Sequence, residues 1–264
     1  MLFSSSEDQN SIVRINMNYQ QNNGPFGQNR GMFGSSRYQY QTLPYGYEGT
    51  QTSGLMSRVM GLLAFSFLFA ALGTFIGINF LHITIGTYWI IAIAGLVVLI
   101  ILQFVIQRPG LNLFLLYLFT FLEGLSLSPL IAYYINYQSN ILGQAFLITA
   151  VSSFGLAAYA WLTKRDFSRL GDYLFFGLIL LLVTSLIGLF FGGIFHTTLF
   201  GLIISFFGVA LFSGYVIYYV QRGKNMADTM PNAIGLTVSL FLTVLNLFLF
   251  ILRLLSILQG NNRR

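Results

Sequence analysis

The chain contains no cysteine in 264 residues, which excludes disulfides, thiolate nucleophiles and cysteine-held metals. Charge is nearly as scarce. Only 8% of residues are charged, against roughly 25% in a soluble domain. So few charges cannot cover a water-exposed surface. There are two histidines, and both His82 and His196 fall at breaks between apolar runs, so no histidine cluster is expected to hold a metal. The lysines, Lys164 and Lys224, also lie at breaks, which excludes a Schiff-base lysine inside an apolar run. No intramembrane pair of carboxylates and no nucleophile–base pair is visible. An enzyme is therefore not expected, and neither is a bound cofactor.

What is present is apolar. Hydrophobic residues make up 56% of the chain and come in long blocks. These run approximately over 55–80, 86–106, 111–135, 141–162, 173–194, 197–221 and 232–258. A helix of about 20 residues crosses the hydrocarbon core of a bilayer. Backbone groups in lipid must be bonded internally, so helices fit and open strands do not. The pattern predicts an all-α integral membrane protein, a bundle of seven transmembrane helices over 55–258. Residues 1–54 are rich in Gln, Asn, Gly and Ser and read as a disordered tail. Residues 259–264 form a short C-terminal tail. No early apolar run follows the first basic residues, so no signal peptide is expected.

Basic residues set a direction. Arg14, Arg30, Arg37 and Arg58 precede or open the first block, Arg108 lies in the second connection, Lys164, Arg165 and Arg169 in the fourth, and Arg222 and Lys224 in the sixth. The first, third and fifth connections hold none. The positive-inside rule then puts the N-terminus in the cytoplasm. The net charge of +6 reads as topology, so no nucleic-acid partner is expected. Seven crossings leave Arg263 and Arg264 outside. Either these translocate or the last segment is re-entrant.

Six of the seven acids lie in the tail or the connections. Glu123 lies mid-span, roughly 18 Å deep at 1.5 Å per residue. A charge there costs at least about 2.5 kcal/mol, so Glu123 should face the bundle interior. It reads as an ion or proton site, or as a neutral glutamate hydrogen-bonded for packing. Pro129 removes one helix bond and frees the carbonyl of Leu125, which Ser126 or Ser128 is placed to satisfy. A kink there would be a gate, or simply a tolerated membrane proline. In the last block Asn232, Gly235, Ser239, Thr243, Asn246 and Arg253 recur at helical spacing as a polar seam. The seam reads as pore lining or as glue between helices. Asn246 is similar in depth to Glu123, which puts a contact within reach. Gly73-x-x-x-Gly77 and Gly188-x-x-x-Gly192 would let helices approach closely.

The third block, Tyr117-Leu-Phe-Thr-Phe-Leu-Glu-Gly-Leu-Ser-Leu-Ser-Pro129, resembles the signature of the Bax inhibitor-1 (transmembrane BAX inhibitor motif) family, including its bacterial members. Leu211-Phe-Ser-Gly-Tyr-Val-Ile-Tyr218 and Leu245-Asn-Leu-Phe-Leu-Phe-Ile-Leu-Arg253 resemble its sixth and seventh spans. The resemblance covers about residues 55–258. It implies a seven-helix bundle with the last helix near the centre, and a pH-sensitive calcium leak gated by an aspartate pair. Those aspartates fall at Tyr219 and Thr243 here, so both carboxylates are missing, while the basic residue near the pair remains as Arg108. The expectation is an ion leak channel, with calcium as the transported ion, whose di-aspartate gating is altered or absent. The alternative is a non-conducting regulator that binds other membrane proteins in stress response or quality control. The lipid bilayer is the first partner, and a bacterial plasma membrane the expected location.

Overall fold

The structure is a computed structural model that describes residues 51–261 apart from 82, 84, 168 and 191–196. Residues 1–50 of the predicted tail and both histidines lie outside the described residues, as does Gly192 of the second glycine pair. Seven helices follow in order: α1 Gln51–Asn79, α2 Ile85–Val105, α3 Leu111–Tyr137, α4 Ser139–Leu162, α5 Leu170–Phe190, α6 Thr198–Lys224 and α7 Met230–Asn261. Each is long and apolar enough to cross a membrane. The seven predicted spans therefore match in number and order.

The helix ends differ from the apolar blocks. α1 begins at Gln51, within the predicted tail, and α7 runs to Asn261, beyond the predicted limit of 258. At 1.5 Å per residue a helix of 32 residues is about 48 Å long, well beyond the roughly 30 Å hydrocarbon core. Such ends stand among headgroups and water, where apolarity no longer marks them. The start of α1 has an anionic neighbour: a Cβ on Gly54 would stand 2.5 Å from Asp228 Oδ2. A carboxylate against the first turn of a helix favours its free N–H groups. Asp228 also lies 3.6 Å from Arg58 Nη1.

The turn between α2 and α3 is built on Pro109 and Gly110. Gly110 has φ 83°, a left-handed conformation that side chains disfavour. Elsewhere small residues set the packing. The tightest interface is α1 on α3. A Cβ on Gly73 would overlap the Phe121 carbonyl oxygen, one on Gly77 would overlap Ser128 Oγ, and one on Gly124 would overlap the Ala70 carbonyl oxygen. Thr74 Oγ1 donates to the carbonyls of Ala70, at 3.0 Å, and Gly124, at 2.8 Å. Helices in lipid gain by this close contact, since lipid tails are as apolar as leucine.

α7 is the most buried helix and α2 and α5 are the least. α7 packs against α1, α3, α4 and α6, whereas α2 rests chiefly on α3 and α5 on α6. Its first half, Ala233, Leu236 and Leu240, joins Leu55, Met56, Val59, Ala160 and Val220 in one cluster. Its second half, Leu247, Phe248, Ile251 and Leu252, joins another with Ala145, Leu211, Phe212 and Tyr215. The last helix is thus the centre of the bundle. Its end meets the start of α4, where Gln259 Nε2 donates to Gln144 Oε1 at 2.6 Å. The last segment is one continuous helix, α7, long and apolar enough for a full crossing. Between α1 and α4, over a floor of α3, α6 and α7, lies an apolar groove of about 930 Å³.

Candidate functional site

α3 carries Glu123 and Pro129. The helix runs unbroken through the proline. Ser128 Oγ donates to the freed Leu125 carbonyl at 2.8 Å, and Ser126 Oγ to the Glu123 carbonyl at 2.8 Å. Ser128→Ala leaves that carbonyl without a partner in an apolar interior. The expected cost is about 1 kcal/mol, read as a lowered midpoint of unfolding in detergent with the helical content unchanged.

Glu123 is partly buried and lies toward α2. A Cβ on Gly95 would stand 3.7 Å from Glu123 Oε1. Among the described residues the carboxylate has no hydrogen-bond or ion-pair partner. One turn nearer the basic end on the same face is Phe119, whose ring lies 6.1 Å from that of Phe241 on α7. α3 and α7 run in the same direction. Counting outward from that ring pair, Glu123 is four residues on, about 6 Å, and Asn246 five, about 7.5 Å. The two share a depth but not a bond: Asn246 Nδ2 donates to the Leu242 carbonyl at 2.8 Å.

The seam on α7 is bonded to its own helix. Ser239 Oγ donates to Gly235 at 3.0 Å and Thr243 Oγ1 to Ser239 at 2.7 Å. Asn232 Nδ2 reaches the Ala227 carbonyl, in the turn before α7, at 2.8 Å. A Cβ on Gly235 would stand 3.7 Å from Ile106 Cδ1, just past the end of α2. Ser239 and Asn246 follow Gly235 at 4 and 11 residues, on that same face. So Glu123 of α3 lies beside α2, and Gly235 at the start of the seam lies beside Ile106, the residue that follows α2. Arg253 is exposed at the far end, where its Nη2 would stand 3.6 Å from a Cβ on Gly201. Arg108 is exposed in the turn between α2 and α3.

Tyr219 and Thr243 sit on facing helices. Leu236 packs on Gly223 and Phe250 on Gly208. This register sets Tyr219 level with Leu240, three residues or about 4.5 Å along α7 from Thr243. The Tyr219 ring stacks on Tyr215 at 5.5 Å. An aromatic ring and a hydroxyl therefore fill positions that offer no charge. Among the described residues no group of three or more His, Asp or Glu is arranged to hold a metal ion.

Sequence reasoning missed two features. One is the ring cluster of Phe67, Phe119 and Phe241, with Phe67 and Phe241 centred 5.2 Å apart. Phenylalanine is so abundant here, at 27 residues, that no single ring stood out. The other is a polar pocket of about 490 Å³ at the basic end, lined by residues of the α4–α5 link and the end of α6. In the sequence its cations stand out only as a topology signal.

Residues 52–261 match the family model described as inhibitor of apoptosis-promoting Bax1. An uncharacterized protein of Campylobacter jejuni is 34% identical over 227 residues, covering 83% of this chain and 94% of its own length. Protein lifeguard 4 of Mus musculus is 30% identical over 178 residues, covering 67% and 71%. A Golgi anti-apoptotic protein of Vaccinia virus (strain Lister) is 32% identical over 151 residues, covering 57% and 60%.

Proposed function

The chain belongs to the family of inhibitors of apoptosis-promoting Bax1, and on that premise we propose that it is a cation leak protein in which Glu123 is the charged site. The observation that carries this reading is the Glu123 carboxylate beside Gly95 of α2, with no hydrogen-bond or ion-pair partner among the described residues. An ionisable side chain in the middle of a membrane-spanning helix marks an ion or proton path more readily than a packing contact. The ion would pass under α2, which rests on α3 alone among its main neighbours and so is the helix most easily displaced.

Calcium is the ion that the family resemblance implies. Calcium favours several charged oxygen ligands, and Glu123 is the one acid in mid-helix. A weakly selective leak suits such a site better than a calcium-selective one. Tyr219 and Thr243 supply no carboxylate latch, so gating by proton release from an aspartate pair forms no part of the proposal. The host bilayer in this reading is a bacterial plasma membrane, supported by the Campylobacter relative.

The test is flux into liposomes loaded with calcium and proton dyes. Wild-type protein should leak cations, and Glu123→Gln should lower the leak about tenfold, a modest fraction of what one charge contributes at close range. Folded wild-type protein that passes no cation would sink the reading. The result would then favour the second one, a non-conducting regulator that binds other membrane proteins. That reading draws support from the viral relative named as anti-apoptotic. It predicts partners that co-purify equally with wild type and Glu123→Gln.

A further inference from the structure

The pocket at the basic end lies away from Glu123 and owes nothing to the leak reading. Its walls are Thr163, Arg165, Asp166 and Phe167 from the α4–α5 link, and Tyr218, Gln221, Arg222, Lys224, Asn225 and Met226 from the end of α6 and the turn after it. Arg165, Arg222 and Lys224 against Asp166 leave the lining with two net positive charges.

The pocket is held in shape by polar contacts. Gln221 Nε2 donates to the Arg165 carbonyl at 2.7 Å, and Gln221 Oε1 accepts from the Phe167 N–H at 3.0 Å. One side chain thus pins the link to α6. The Lys224 ammonium donates to the Trp161 carbonyl and lies 5.4 Å from that indole ring. Arg222 Nη1 donates to the Tyr218 hydroxyl at 3.3 Å. Tyr218 in turn closes on the start of α5: a Cβ on Gly171 would stand 2.9 Å from its hydroxyl oxygen.

Depth and composition together name the ligand. Trp161, Tyr159 and Tyr218 lie at the ends of apolar helices, where amphipathic rings mark the level of lipid headgroups. Fixed cations at that level, set between helices rather than spread along a tail, suit the phosphate of an anionic lipid. We propose that this pocket binds the phosphate-bearing headgroup of an anionic membrane lipid, with Arg165 and Arg222 contacting the phosphate and Lys224 adding charge from the rim.

The experiment measures binding of phosphatidylglycerol to the full chain in detergent by native mass spectrometry, with phosphatidylcholine as the comparison lipid and inorganic phosphate as competitor. Wild type should retain phosphatidylglycerol in preference to phosphatidylcholine. Arg165→Gln should weaken that retention about tenfold, as expected for losing a charged hydrogen bond. Lys164→Gln removes the same charge from the next residue, which is exposed and outside the pocket, and should change it by less than about threefold. Equal losses in the two variants would mean diffuse surface charge and overturn the pocket. Full displacement by millimolar phosphate, whatever lipid is present, would mean a free-phosphate site and overturn the lipid.

Discussion

Gly124→Ala is expected to destabilise the bundle by about 3 kcal/mol, the upper part of the usual range for overpacking a core. The added methyl would overlap the Ala70 carbonyl oxygen and stand 2.5 Å from its carbon and 2.7 Å from the Ala70 Cα. All three are backbone atoms, which cannot rotate aside as a side-chain tip can. α1 and α3 must separate, and the bond from Thr74 Oγ1 to the Gly124 carbonyl goes with the separation. Gly73 and Gly77 face the same interface from α1, so the strain has no nearby slack. The control is Gly61→Ala, where a Cβ would meet nothing within 4 Å. That change should be neutral or slightly stabilising, since alanine is favoured over glycine in a helix by up to about 1 kcal/mol. The measurement is the midpoint of SDS-induced unfolding for both variants. Equal midpoints would show that the α1–α3 contact is looser than its geometry.

These two helices also show how far the sequence could be read. The spacing Gly73-x-x-x-Gly77 identified a face able to pack closely, because small residues four apart always share a face. It did not name Gly124 and Ser128 as the partner surface. Which face meets which depends on the rotation of whole helices, and no local spacing encodes that. The same division holds for the candidate site. The bond from Ser128 to the Leu125 carbonyl was legible because it spans three residues of one helix. The mid-helix position of Glu123 was legible because the apolar block around it sets the extent of the helix. Its neighbour was not: Asn246 shares its depth, yet the structure turns Glu123 toward Gly95 and gives Asn246 to its own helix. The seven crossings were legible because lipid leaves few options for an unbonded backbone. The start of α1 was not, since its anionic neighbour is Asp228, far along the chain.

On the proposed leak reading, Phe241→Ala is expected to raise the cation flux at least about tenfold. Phe241 is fully buried at the centre, with Phe67 of α1 at 5.2 Å and the fully buried Phe119 of α3 at 6.1 Å. The three rings pack together two residues along α7 before Thr243, on the basic side of the level of Glu123. On that reading they form an apolar constriction, which blocks ions because water does not wet it. Truncating the central ring removes that barrier. It also costs about 3–5 kcal/mol of packing, so a leak from damaged protein must be separated from a leak through an opened path. Phe241→Leu keeps most of the volume and the apolar surface, and should leak as wild type does. Glu123→Gln introduced into Phe241→Ala supplies the second control. If the rings and the carboxylate lie on one path, removing the charge lowers the raised leak by the factor it shows in wild type. If the raised leak comes from loosened helices, the double variant leaks as much as Phe241→Ala alone, and the path under α2 is wrong.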